Sequence, residues 1–269
     1  MRETKEPRRE FAKYEELISD KPRFMERIRI DWDKSEELKD SYVGRIPCIR
    51  SISEYAFSSN VVFFCGKNGS GKSTLLEAIA KAYGLNPEGG YGHFMYSEYD
   101  DISSLWRSMT IGKVGYPKRK LFLRGESFYN IGMIHDNDEE IMKDPRSVPW
   151  IQGRSHGQAF LRIIQESGID CPNLYILDEP ETSLSMEYQM SLLYFIINAA
   201  KRSSQFVIAT HSPLLMAVPG AEIILFGEDN LRRISLEETE AFETMKLFIE
   251  NRERIIAKFS SEEEEPESP

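Results

Sequence analysis

Four short apolar runs punctuate the chain without the alternation of a half-buried strand. They are "VVFFC" (Val61 to Cys65), "LYIL" (Leu174 to Leu177), "QFVIA" (Gln205 to Ala209) and "EIILF" (Glu222 to Phe226). Continuous runs of this length suit strands covered on both faces. Between them lie stretches with a helical period: "KSTLLEAIAKAYG" from Lys72, "GQAFLRIIQESG" from Gly157 and "SLSMEYQMSLLYFIINAAKR" from Ser183. Strands alternating with helices predict an α/β fold with a mainly parallel sheet flanked by helices. In the first sixty residues, "FMERIRIDWD" and "GRIPCIRSI" mix charge with apolar positions and predict an antiparallel N-terminal portion. "SLEETEAFETMKLFIENRERI" predicts one closing amphipathic helix. Residues 85–150, rich in glycines from Gly89 to Gly132 and holding the acidic run "HDNDEE" from His135, read as a loop-rich insertion. The expected organisation is one domain over 1–259, with a disordered acidic tail over 260–269.

Composition changes this picture little. Of 269 residues 41% are hydrophobic, enough for a core, and no apolar run approaches the roughly 18–20 residues of a membrane span. The charged start "MRETKEPRRE" is unlike a secretory signal, so a cytoplasmic location is expected. Cys48, Cys65 and Cys171 lie far apart without CxxC spacing, which suggests neither a disulfide framework nor a zinc site. The net charge is −10, but Glu262, Glu263, Glu264, Glu265 and Glu267 of the tail supply half of it. An acidic body argues against tight non-specific binding of nucleic acid and leaves local binding open.

Chemistry enters at the end of the first run. Gly66-Lys67-Asn68-Gly69-Ser70-Gly71-Lys72-Ser73 fits G-x-x-x-x-G-K-[ST] after a strand and before a helix. Glycines let the backbone wrap phosphate oxygens, N–H groups at the helix start face the anion, Lys72 reaches the terminal phosphates and Ser73 can ligate magnesium. A kinase, a GTPase or a motor could each use such a loop. "LYILDEP" narrows the choice, because Asp178 and Glu179 fall at the carboxyl end of a strand, where ligands of open α/β sheets gather. One acid that holds magnesium and a second that orients or deprotonates water suit hydrolysis of a phosphoanhydride. "SHGQ" (Ser155 to Gln158) opens a helix, where its bland role is an N-cap. His211 in "ATHSP" ends another strand, where a histidine can sense a γ-phosphate or serve a proline turn.

In this order the motifs resemble those of the ABC-class P-loop ATPases across residues 55–215. "GKNGSGKS" is similar to Walker A, "SHGQ" to the signature motif (usually LSGGQ), "LYILDEP" to Walker B, "ETSLS" (Glu181 to Ser185) to the D-loop and His211 to the switch histidine. The short span between loop and signature, with "LRGESFYN", resembles the small stand-alone bacterial ATPases of the class. The resemblance implies ATP and Mg²⁺ as ligands. Asn68, Gly69, Ser70, Gly71, Lys72, Ser73 and Thr74 of one copy would bind ATP, covered by Ser155, Gly157 and Gln158 of a second copy in a head-to-tail homodimer. It further implies Ser73 and Asp178 around the metal, and Glu179, His211 and Lys72 as the catalytic groups. His156 stands where the pattern has glycine, Glu126 or Ser127 stands where a Q-loop glutamine is expected, and "LSMEY" lacks the aspartate that commonly ends a transporter D-loop.

Three clients for such an engine are open. The first is nucleic acid or an effector protein, as in repair and defence ATPases. "KVGYPKRKLFLR" gathers Lys113, Lys118, Arg119, Lys120 and Arg124 near Tyr116 and Phe122, a pattern that suits a phosphate backbone or merely a charged strand edge. The alternative is the nucleotide-binding subunit of a membrane transporter, for which Tyr42 or Tyr55 would stack on adenine. A small-molecule kinase is third, since Glu179 with His211 suits water better than a sugar.

Overall fold

The computed structural model describes residues 24–85, 90–91, 104–126, 136–137, 143, 152–166 and 171–261, with backbone only at 90, 91 and 261. The four apolar runs are strands: β3 (Val61–Gly66), β7 (Leu174–Asp178), β8 (Gln205–Ala209) and β9 (Glu222–Phe226). With β4 (Gly90–Tyr91), β6 (Lys120–Arg124) and β10 (Leu231–Ile234) they form a seven-stranded sheet in the order β10-β9-β3-β8-β7-β6-β4. The five middle strands are parallel, and an antiparallel strand closes each edge. A second sheet, β2-β1-β5, is antiparallel and built from β1 (Met25–Ile30), β2 (Glu54–Ala56) and β5 (Met109–Lys113). The fold is therefore α/β of the P-loop type with an antiparallel N-terminal portion.

Both faces of the parallel strands are covered, which explains their unbroken apolar runs. Val62 and Phe64 of β3 join one core, with Leu75, Leu76 and Ile79 of helix α1 (Lys72–Tyr83). Val61, Phe63 and Cys65 join the other, with helices α2 (His156–Glu166) and α3 (Met186–Lys201). Tyr175 and Phe206 stack at 4.6 Å inside it. Each such aliphatic or aromatic side chain contributes about 1.5–3 kcal/mol by leaving water. The buried Gln205 carboxamide ties the sheets together, accepting from the Phe24 and Met25 N–H groups and donating to the Met25 carbonyl.

Three sequence expectations need correction. "GRIPCIRSI" is not a strand: Val43–Arg45 is a 3-10 turn and Pro47–Arg50 a short helix. Pro47 has no N–H for a ladder, and its fixed φ suits a helix start. The closing segment is a 3-10 turn, Leu236–Glu238, followed by helix α4 (Glu240–Ser261), which kinks at Asn251 (φ −127°, ψ 22°). The Asn251 side chain donates to the Leu247 carbonyl four residues back, a local bond that competes with the helix ladder. Its apolar residues are not tucked to one buried face; Leu247, Phe248, Ile249 and Phe259 are all exposed. Within the supposed insertion, β5 and β6 belong to the two sheets, so the basic run is divided between them. No described helix is long and apolar enough to cross a membrane.

Candidate functional site

The loop between β3 and α1 is fixed by backbone geometry. Gly69 and Gly71 have φ of 78° and 97°, a left-handed region that favours glycine. At Gly71 an added Cβ would also stand 2.6 Å from Ile49 Cδ1. Lys72 is buried, and its ammonium donates to the Gly66 and Lys67 carbonyls at 3.0 and 3.2 Å. Burial pushes its pKa down, opposed chiefly by the charges of Glu179 and Asp178. The Ser70 hydroxyl is buried without a hydrogen-bond partner among the described residues. A buried ammonium, an unpaired hydroxyl and a helix start form a cradle that fits the phosphates of ATP.

Strand register brings the acids to the same place. Asp178 ends β7, and the Ser73 hydroxyl donates to its Oδ1 at 3.0 Å. Burial raises the Asp178 carboxyl to about 6, against the pull of Arg124 and of the Ser73 hydrogen bond. Two hard oxygen donors fit magnesium, which commonly takes one or two protein carboxylates or hydroxyls beside phosphate oxygens. Glu179 follows in a left-handed conformation (φ 45°, ψ 53°), an outlier of the kind found at active sites. Its N–H still donates to the Ala209 carbonyl at 2.9 Å, so the turn is anchored to β8. His211, two residues past β8, places Nε2 3.7 Å from Glu179 Oε1; that nitrogen also lacks a hydrogen-bond partner among the described residues. A cavity of about 1270 Å³ borders Gly66, Lys67, Asn68 and His211. It touches this half of the site and not Lys72, Ser73, Asp178 or Glu179.

Ser155, Gly157 and Gln158 lie apart from that cavity. The Gln158 N–H donates to Ser155 Oγ (3.4 Å) and the Ser155 N–H to Gln158 Oε1 (3.1 Å). This reciprocal pair is a capping box that starts α2. Both residues are exposed, whereas Gly157 is buried and a Cβ there would meet Tyr188 of α3 at 2.4 Å.

Several functional neighbours escape a reading of motifs. Arg124 lies opposite Asp178 in the β6–β7 ladder, with Nε 3.5 Å from Asp178 Oδ2 and Nη2 2.8 Å from Glu77 Oε1. Only a charged residue ending a buried strand hinted at Arg124. Glu77, four residues after Ser73, shares a helix face with it. Glu126, one of the two residues considered for the Q-loop position, is exposed, and Ser127 lies outside the described residues. Tyr55 is not free to stack on a base: its hydroxyl donates to Glu222 and its ring lies under Arg233. Tyr42 is exposed. Of the basic run, Lys120 donates to the Tyr83 and Gly84 carbonyls that end α1, and Arg124 serves the acids. His93, His135, most of "HDNDEE" and residues 262–269 lie outside the described residues, whereas Ser260 and Ser261, expected to begin the tail, end helix α4.

Comparison with known proteins bears on the class of the chain. Residues 48–105 match a family model described as "AAA domain", and residues 163–217 one described as "AAA domain, putative AbiEii toxin, Type IV TA system". The first stretch contains the loop, the second Asp178, Glu179 and His211. A "Putative ABC transporter ATP-binding protein" of Bacillus cereus is 27% identical over 198 residues, 66% of this chain and 34% of that protein. "Zinc import ATP-binding protein ZnuC" of Wolbachia pipientis wMel is 25% identical over 200 residues, 71% of this chain and 78% of that one. "Formylaminopyrimidine import ATP-binding protein ThiZ" of Halalkalibacterium halodurans is 26% identical over 190 residues, 65% of this chain and 72% of that one. The chain thus spans about a third of the Bacillus relative and most of the other two. Among solved structures, the SMC head domain from Thermotoga maritima covers 79% of this chain at 15% identity and a TM-score of 0.41, a likeness too loose to bear weight. The loop, the paired acids, the histidine and the matched stretches together support a P-loop ATPase of the ABC class.

Proposed function

We propose that this chain is a cytoplasmic protein that binds Mg-ATP at residues 66–74 and hydrolyses its terminal anhydride as a head-to-tail homodimer. The observation that carries the reading is the meeting of Glu179 and His211 at 3.7 Å beside the Lys72 loop. Magnesium, held by Ser73 and Asp178, would supply charge neutralisation at the phosphates. Asn68 to Thr74 orient the triphosphate through backbone N–H groups, and Lys72 meets its charge. Glu179 orients the attacking water and accepts its proton, and His211 contacts the γ-phosphate, whose bond to ADP breaks as the water oxygen attacks. In the head-to-tail arrangement that the motif order suggests, Ser155, Gly157 and Gln158 of a second copy would complete the site. The test is the solution mass of Glu179→Gln by light scattering with and without Mg-ATP. The expected result is an ATP-dependent doubling, and a mass indifferent to ATP would overturn the dimer.

The client proposed for this dimer is nucleic acid or an effector protein, with the exposed Lys113, Lys118 and Arg119 as a contact surface. The names of the relatives favour a second reading, the ATP-binding subunit of an importer. DNA retained on the ATP-bound dimer supports the first reading, and co-purification with an integral membrane protein supports the second.

A further inference from the structure

Glu181 stands two residues past Glu179, in the 3-10 turn Pro180–Ser183. Both oxygens of its carboxylate are used. The Thr210 hydroxyl donates to Oε2 at 2.7 Å, and the backbone N–H of His211 donates to Oε1 at 2.5 Å. Thr210 Oγ1 in turn accepts from the Ser212 N–H at 3.0 Å. The same two segments are joined again lower down: Ser212 Oγ donates to Gln189 Oε1 at 2.7 Å, and Gln189 Nε2 to the Leu184 carbonyl at 3.1 Å. On the other side of the turn, Ser183 Oγ donates to the Gly125 carbonyl at the exit of β6. The turn after the catalytic acid is thus pinned between β6 and the segment that carries the histidine.

A hydrogen bond from a backbone N–H to a carboxylate is short and about twice as strong as a neutral one. Helix capping or turn closure would need only one acceptor, whereas this carboxylate holds two consecutive residues, Thr210 and His211. We propose that Glu181 is a positioning residue: it fixes the backbone of His211 so that Nε2 stands within reach of Glu179, and it thereby couples the 180–184 turn to the histidine. The inference rests on the ATPase reading above. Glu181 touches no reacting atom in this account and acts through His211.

Steady-state ATPase kinetics of Glu181→Ala, Glu181→Gln, His211→Ala and the Glu181→Ala/His211→Ala double variant test the role. Losing a hydrogen bond to a charged group predicts a kcat about ten- to a hundredfold lower in Glu181→Ala. Its KM for ATP should stay within about threefold, because residues 66–74 are untouched. Glu181→Gln should keep most of the activity, since an amide oxygen still accepts the His211 N–H. The double variant should be no slower than His211→Ala alone. An unchanged kcat in Glu181→Ala overturns the proposal, as does an equal loss of nucleotide affinity or a loss that multiplies in the His211→Ala background. The His211 backbone amide resonance decides independently of turnover. It is expected far downfield and upfield-shifted in Glu181→Ala; a resonance that does not move refutes the role even if the wild-type chain hydrolyses no ATP, a result that would sink the ATPase reading separately.

Discussion

The residues assigned to the nucleotide fall into two groups with opposite surroundings. Lys72 and Asp178 are each 4% exposed, at the ends of strands and at a helix start. Both have pKa values displaced by burial, Lys72 downward and Asp178 upward. Ser155 and Gln158 are exposed and satisfy each other in a capping box. The buried group bears a desolvation cost whether or not nucleotide is present, which is how a preorganised charge site is built. The exposed group bears none. Ser155 Oγ accepts from the Gln158 N–H and keeps its own proton available to donate, so the cap can meet an anion without breaking. One half of the site is fixed by the fold, and in the proposed dimer the other is a surface offered to a second copy.

The largest expected effect strikes the fixed half. A general base contributes about 10²- to 10⁴-fold, so Glu179→Gln should lower ATP turnover by that range while leaving affinity for a fluorescent ATP analogue nearly unchanged. If turnover survives, the paired acids do not divide their labour as argued. The comparison between the halves would then lose its catalytic side.

This contrast also explains what could be read beforehand. The loop and Asp178-Glu179 were legible because their chemistry is contiguous: the groups that meet phosphate are neighbours in sequence, between a buried run and a helix. Arg124 and Glu77 were not, because their meeting with Asp178 depends on the β6–β7 register and on a helix face. Pro47 turned an apparent strand into helix through its backbone alone. For "SHGQ" the sequence offered both a cap and a signature motif; the structure realises the cap, and the two roles are compatible because the cap leaves the hydroxyl proton available.

The next effect tests whether the exposed half acts on another copy. Lys72→Ala and a Ser155→Ala/Gln158→Ala variant should each lose most activity alone. Mixed in equal amounts, they should recover roughly a quarter of wild-type turnover, because random pairing in a two-fold dimer leaves one intact site in half of the dimers. ATPase assays of the mixture against each variant decide this. No recovery would place the signature residues in cis or outside the site.

A smaller effect concerns the cost of the buried half. The Asp178 carboxyl holds its proton to about pH 6 in the folded chain, above its ordinary value of 3.8. The stability it contributes is therefore fully present below about pH 4 and is lost as pH rises through about 6. Metal-free Asp178→Asn should be more stable than wild type at pH 8, by up to roughly 2–3 kcal/mol, and should lose most of that advantage at pH 4. Thermal unfolding at the two pH values measures it. A variant less stable at pH 8 would mean that Arg124 outweighs burial at this carboxylate.

The smallest effect asks why a glycine sits in the exposed motif. Gly157 is buried against Tyr188, and its Cβ would come within 2.4 Å of the ring. Overpacking of this kind costs about 1–3 kcal/mol, so Gly157→Ala should lower thermal stability and splay α2 from α3, with dimerisation weakened in consequence. Truncating the ring removes the clash: Gly157→Ala/Tyr188→Ala should recover ATP-dependent dimerisation relative to Gly157→Ala, although the Tyr188 deletion has its own packing cost. If the double variant is folded and remains monomeric with Mg-ATP, then Gly157 is required for backbone approach to the partner's nucleotide. The exposed half would then be specified by contact as strictly as the buried half is by the strand ends.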